Sequence, residues 1–81
     1  MDIHNLIHLA NRIGEFFQSM PDADEAQSGV AQHIHKFWEP RMRRALLAQL
    51  DADGAPTLMP LVRDAVLAHR AELEPRAAQH A

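Results

Sequence analysis

The positions of proline most constrain how this 81-residue chain can fold. A proline inside a helix removes a hydrogen bond and clashes with the preceding turn, whereas a proline in the first turn is favourable. Pro21 and Pro75 are therefore predicted to end helical segments, and Pro40 and Pro60 to begin them. Between these prolines, apolar residues recur at three- and four-residue spacing, and no segment shows the alternation typical of a strand.

This pattern predicts an all-α fold, a small bundle of four short helices. Asp22, with Glu25 three residues later, has the form of a capping box and marks the start of the second helix. Gly14 lies inside the first helix, where it either permits the close approach of a neighbouring helix or is simply tolerated at a cost of about 1 kcal/mol. Leu9, Phe16 and Met20 widen the apolar stripe of that helix beyond one narrow face. The predicted helices cover about 3–19, 23–37, 40–50 and 59–73.

Residues 1–75 are predicted to form a single helical domain, and residues 76–81 a flexible tail. A chain of this length buries only about 60% of the surface that its unfolded form exposes, so its stability margin is thin. The sequence has no cysteine, which excludes disulfides and thiolate metal sites in this chain. Packing against a partner remains as a source of additional stability.

Charge and hydropathy argue against several partner classes. The formal net charge of −3 gives no general electrostatic footprint for nucleic acid. No apolar run approaches the roughly 18–20 residues that span a bilayer, and the N-terminus lacks the basic region of a secretory signal. We therefore expect a cytoplasmic chain that binds neither nucleic acid nor membrane.

No catalytic or metal-binding constellation emerges from the sequence. His4 and His8 can share a helix face, but the glutamate of an HExxH motif is absent and a zinc site needs a third protein ligand. His33 and His35 are two residues apart, so on a helix they point to different sides. The serines lack a recognisable activating context. We predict no catalytic, cofactor-binding or metal-binding residue in this chain.

One stretch, residues 33–44, concentrates the residue types that protein interfaces favour. It holds the only tryptophan and half of the eight Lys and Arg residues, and Trp, Phe, Met and Arg are enriched at interfaces. Pro40 predicts a corner at Trp38–Glu39, because proline excludes the preceding residue from the helical region. We expect Phe37 to face the core and Trp38 to lie at the rim of a binding face, although such a pair can also be core alone. The predicted partner interface consists of His33, Lys36, Phe37, Trp38, Pro40, Arg41, Met42, Arg43 and Arg44.

Arginines crowd the first turn of the third predicted helix, at positions 41, 43 and 44. The helix dipole disfavours positive charge there. We therefore expect carboxylates, from this chain or from a partner, to lie close to them, because the guanidinium fork can hold a carboxylate bidentately. The same basic run leaves a helix-turn-helix module that binds nucleic acid as an alternative.

Three stretches together carry a family resemblance. They are MDIHNLIHLANRIGEFF at 1–17, HIHKFWEPRMR at 33–43, and Leu58-x-Pro60-Leu61-Val62-x-x-Ala65-Val66. Residues 36–43 are the most specific part. With these stretches the chain resembles the delta subunit of NAD-dependent formate dehydrogenases that contain molybdenum or tungsten.

The resemblance implies a non-catalytic accessory subunit of a soluble complex. In such a complex a large alpha subunit carries bis-molybdopterin guanine dinucleotide and iron–sulfur clusters, beta and gamma subunits carry FMN, further clusters and the NAD site, and the delta subunit carries no redox centre. We expect this chain to bind the alpha subunit and to support assembly, stability or cofactor insertion. A transient assembly chaperone and a small nucleic-acid-binding module remain alternatives.

Overall fold

Helices make up almost all of the regular structure in the computed structural model, which describes residues 2–75. Within that range no strand is present, so the all-α prediction with four short helices is confirmed. The tail predicted for residues 76–81 lies outside the described residues. The helices are α1 Ile3–Phe17, α2 Ala23–Phe37, α3 Pro40–Asp53, α4 Pro60–Ala68 and the single-turn α5 Arg70–Leu73.

The helix ends follow local chemistry. The Asp2 carboxylate accepts a hydrogen bond from the backbone N–H of His4 at 2.9 Å, and it caps α1. The Asp22 carboxylate accepts from two N–H groups in the first turn of α2. Pro40 and Pro60 occupy the first positions of α3 and α4, where the missing N–H costs nothing.

Two helix ends differ from the sequence prediction. Helix α3 extends to Asp53, beyond the predicted residue 50, and ends at Gly54, whose φ of 77° is left-handed. Glycine adopts this C-terminal cap without a steric penalty. The predicted helix 59–73 is divided at His69, whose φ of −112° departs from helical geometry. This break lets the final turn carry Leu73 into the core, where it is almost fully buried.

The core lies between α2 and α4, which pack most extensively against each other, while α1 covers both and also contacts α3. Complete burial of branched aliphatic side chains supplies most of the stabilisation, at about 1.5–3 kcal/mol for each. The largest side chains that are fully buried belong to Ile34, Leu46, Leu73, Val30, Val62 and Val66.

Two glycines let α1 approach its neighbours closely. A Cβ added at Gly14 would lie 2.5 Å from Cγ2 of Val62, on α4. One added at Gly29 of α2 would lie 2.5 Å from Cε1 of Phe17. The first contact confirms that Gly14 serves close helix packing rather than being merely tolerated.

Asn11 fastens the α3–α4 connection to α1. Its amide nitrogen donates to the carbonyl of Thr57 at 3.0 Å, and its Oδ1 accepts from the N–H of Met59 at 2.8 Å. Within this connection Ala55 is fully buried at a φ of 44°, and its N–H donates to Asp53 Oδ1 at 2.8 Å. The side chain of Asn11 thus supplies both a donor and an acceptor to backbone groups that no helix satisfies.

We expect Asn11→Ala to lower the free energy of unfolding by about 1–2 kcal/mol, since a carbonyl and an N–H lose their partner. Chemical denaturation followed by circular dichroism measures this change. Asn5→Ala, at an exposed position of the same helix, is the matched control and should change stability by less than about 0.5 kcal/mol. Equal effects of the two substitutions would show that the Asn11 contacts do not stabilise the connection.

Arg70 links the end of α3 to the last helical turn. It binds both carboxylate oxygens of Asp51, at 3.0 and 2.7 Å, and donates through Nε to Glu74 at 2.8 Å. Hydrogen bonding from the Arg70 guanidinium holds the pKa of the Asp51 carboxyl below its usual value. The sequence did not predict this contact, because the predicted third helix ends at about residue 50, whereas Asp51 lies within α3.

Candidate partner-binding surface

The candidate site is centred on the corner that joins α2 to α3. Trp38 and Glu39 adopt extended backbone geometry, with ψ of 139° and 152°. Helix α3 then begins at Pro40. The corner predicted from Pro40 is therefore confirmed.

The two aromatic residues at this corner exchange their expected places. Trp38 is 7% exposed and belongs to the core, whereas Phe37 is 65% exposed, so the prediction that Phe37 faces inward and Trp38 lies at the rim is wrong. The N–H of Trp38 still donates to the carbonyl of Ile34 at 2.9 Å, so helical phase persists through Trp38. Its side chain consequently continues the buried Val30–Ile34 face.

Phe37 lies on the surface among basic groups. Its ring centroid is 4.8 Å from that of His33, one helical turn earlier. The ammonium nitrogen of Lys36 lies 5.7 Å from the same ring centroid, within the range in which a cation is attracted to an aromatic face. Three of the predicted interface residues therefore form one exposed cluster at the end of α2.

Arg43 binds backbone carbonyls of this chain. Its Nε donates to the carbonyl of Leu73 at 2.9 Å, and its Nη1 donates to the carbonyls of Trp38 at 3.0 Å and His35 at 3.4 Å. These carbonyls lie at the C-terminal ends of α2 and α5, where positive charge is favourable. Arg43 therefore joins three helices, and it no longer supports a basic surface for nucleic acid.

The other arginines of α3 remain near the surface. Arg41 Nη2 lies 3.9 Å from the Glu39 carboxylate, and both side chains are well exposed. Arg44 is exposed and makes no ion pair among residues 2–75. Carboxylates were expected near the arginines of α3. Within residues 2–75, Glu39 is the only one that forms an ion pair with any of them.

The structure divides the predicted interface into two groups. Met42 packs half-buried against the core, and together with Trp38 and Arg43 it holds the corner in place. The exposed group comprises His33, Lys36, Phe37, Pro40, Arg41 and Arg44.

An open groove of about 680 Å³ lies beside this cluster, between α1 and α2. Its α1 wall includes Phe16, which is 75% exposed, and Leu9, which is also exposed. The Phe16 ring packs edge-on against Phe17 at a centroid distance of 5.0 Å. We call this feature the α1–α2 groove; its lining residues are Leu9, Arg12, Ile13, Phe16, Phe17, His33 and Trp38.

The α1 wall was not predicted as part of the site. Its signal in the sequence was the apolar stripe widened by Leu9, Phe16 and Met20, which exceeds what one buried helix face requires; Leu9 and Phe16 line the groove, and Met20 does not. Most of the large apolar side chains that stay exposed lie on or beside this groove, with Leu67 of α4 as the exception within residues 2–75. Such a contiguous exposed apolar patch is typical of a binding surface.

A comparison with known protein families found a match. The family model described as NADH-dependent formate dehydrogenase delta subunit FdsD matches residues 5–66. The chain belongs to the FdsD family. The resemblance seen in the sequence is confirmed, and with it the relation to a subunit of a formate dehydrogenase. Comparisons with curated proteins and with solved structures found no match.

The FdsD match includes both walls of the groove and the whole corner at 33–44. It ends at residue 66, before Leu73, whose carbonyl accepts the Arg43 hydrogen bond. The candidate surface therefore lies inside the part of the chain that the family model matches. The carbonyl of Leu73, which holds Arg43 in place, lies outside it.

Residues 2–75 show neither a metal-binding cluster nor a helix suited to span a membrane. They contain no cluster of three or more His, Cys, Asp or Glu side chains arranged to hold a metal ion. None of the described helices combines the length and apolar character that crossing a bilayer demands.

Proposed function

We propose that this chain is a non-catalytic accessory subunit of a soluble, cytoplasmic NAD-dependent formate dehydrogenase. In this proposal it binds the molybdenum-bearing alpha subunit and supports assembly, stability or cofactor insertion. Membership of the FdsD family, whose description names a delta subunit of this enzyme, carries the proposal. The molybdopterin, iron–sulfur and flavin cofactors would belong to the alpha, beta and gamma subunits, and no residue of this chain is assigned to them.

The exposed aromatic surface supports a role in binding. Phe16 and Phe37 each leave most of their ring in solvent, and the few side chains that act as hot spots of an interface contribute about 2 kcal/mol or more each. A small domain also gains stability by mass action when a partner binds its folded form alone. Both effects favour a chain that functions in a complex.

Omitting the chain from the complex tests the proposal. The other subunits are produced with and without it and purified through a tag on the alpha subunit. We expect omission to lower the yield of assembled complex, or its molybdenum content and formate-dependent NAD reduction, by several-fold. Equal yield, molybdenum content and activity in both preparations would contradict an accessory role.

A further inference from the structure

The single turn α5 cannot maintain its conformation alone. A four-residue helix makes too few hydrogen bonds to offset the cost of helix nucleation, and the break at His69 separates α5 from α4. The N–H groups of Glu72 and Leu73 donate to the carbonyl of His69 at 3.0 and 3.2 Å, which closes the turn. The order of residues 69–74, which we call the α5 clasp, therefore depends on contacts with the rest of the chain.

One buried side chain and two arginines fasten the clasp. Leu73 is its only buried residue, at 1% exposure, and its carbonyl accepts a hydrogen bond from Arg43 Nε at 2.9 Å. Arg70, which belongs to the clasp, donates to both carboxylate oxygens of Asp51 at 3.0 and 2.7 Å. The clasp packs mainly on α2 and α4. These contacts join it to the core, to the α2–α3 corner and to the end of α3.

The polar contacts of the clasp are accessible to water and salt. In the Arg70–Asp51 pair the side chains are 32% and 61% exposed, and exposed ion pairs are weak and screened by salt. Val30 and Ile34, at the centre of α2, are by contrast fully buried. Segments with few buried apolar contacts open at a lower free energy than the core does. The clasp therefore has a lower free energy of opening than α2.

We propose that the α5 clasp opens as a unit while α1 to α4 stay folded, and that the Arg70–Asp51 ion pair favours its closed state. Opening withdraws Leu73 from its position beside α2 and α4. Arg43 then loses one carbonyl acceptor but keeps those at the end of α2, so the α2–α3 corner persists. The part of the core that Leu73 covers is accessible in the open state alone, so binding there requires the clasp to open first. This property belongs to the chain itself and does not depend on the proposed function.

Native-state hydrogen exchange of the full chain, under conditions in which exchange reports the opening equilibrium, tests the clasp. The amide of Leu73 reports on the clasp and that of Ile34 on α2. Leu6→Ala separates the two kinds of opening, since Leu6 is buried in α1 and its contacts persist when the clasp alone opens. We expect Leu6→Ala to accelerate exchange at Ile34 by about tenfold or more and to leave exchange at Leu73 unchanged.

Equal acceleration at Leu73 and Ile34 would overturn the inference, because the clasp would then open only when the whole chain unfolds. Circular dichroism checks that Leu6→Ala is folded. If it is not, Ile7→Val makes the same comparison at a second buried position of α1, with an expected acceleration at Ile34 of about threefold.

Removal of the Arg70 guanidinium tests the ion pair. Arg70→Met is compared with Arg63→Met, because Arg63 lies on α4 and makes no ion pair among residues 2–75. We expect Arg70→Met to accelerate exchange at Leu73 by about fivefold with no change at Ile34, and Arg63→Met to change neither.

Salt gives a second measurement of the same contact. Raising sodium chloride from about 0.02 M to about 0.5 M shortens the screening length several-fold. Exchange at Leu73 should accelerate with salt in the wild-type chain and should not do so in Arg70→Met. Identical exchange at Leu73 in the two chains at both salt concentrations would overturn the role of the ion pair.

Discussion

Trp38→Ala is expected to lower the free energy of unfolding by about 3–5 kcal/mol, the usual cost of removing a buried aromatic side chain. Trp38 belongs to the core cluster with Ile34 and Val30, so its removal leaves a cavity beside those side chains. Domains are commonly stable by only 5–15 kcal/mol, and small ones lie at the low end. This single substitution should therefore leave much of the chain unfolded at physiological temperature.

Phe37→Ala is the matched control, because it removes the neighbouring aromatic ring from an exposed position. Its effect on stability should remain within about 0.5 kcal/mol. Urea denaturation followed by circular dichroism is the appropriate measurement, since Trp38→Ala removes the only tryptophan fluorophore. A larger loss of stability from Phe37→Ala than from Trp38→Ala would contradict the assignment of the core.

Arg43→Met should cost about 2–3 kcal/mol of folding stability. Hydrogen bonds to charged groups are worth roughly 1.5–3 kcal/mol, but those of Arg43 share one side chain that is only partly buried, so their contributions do not add fully. Methionine retains most of the aliphatic length while removing the guanidinium. The carbonyls of Leu73, Trp38 and His35 then lose a common donor, and α5 loses one of its attachments to the corner.

Arg44→Met provides the comparison for Arg43→Met on the same helix. Arg44 is exposed, so its replacement should change the urea midpoint little. Native-state hydrogen exchange adds a local readout: Arg43→Met should reduce protection near α5 more than protection in the centre of α2. Equal stability of the two variants would show that the carbonyl contacts of Arg43 contribute nothing measurable.

Much of the fold could be predicted because local chemistry determines it. The capping box at Asp22 predicted where α2 begins. The exclusion of the residue before Pro40 from helical geometry predicted where α2 ends, and the structure shows the predicted bounds, Ala23–Phe37. The extension of α3 depends on whether Gly54 adopts left-handed geometry, which composition alone does not fix. The division at His69 depends on tertiary packing of Leu73, since no proline or glycine stands there.

The candidate site was only half predicted, for a similar reason. The composition of residues 33–44 indicates an interface, but composition does not reveal which ring is buried. The four-residue spacing of Val30, Ile34 and Trp38 does indicate it, since it places Trp38 on the buried face of α2. The partners of Arg43 and Asn11 lie 30 and 46 residues away along the chain. Such contacts follow from how the helices pack, which local patterns along the sequence do not specify.

Native mass spectrometry of the mature, active formate dehydrogenase tests the central claim most directly. If this chain is a stable accessory subunit, the mass of the active complex should include it in fixed stoichiometry, and mild dissociation should release a 9.1 kDa component. Subcomplexes that contain this chain should also contain the alpha subunit. An active complex with full molybdenum content that lacks the chain would contradict the account and would instead indicate a factor that leaves after assembly.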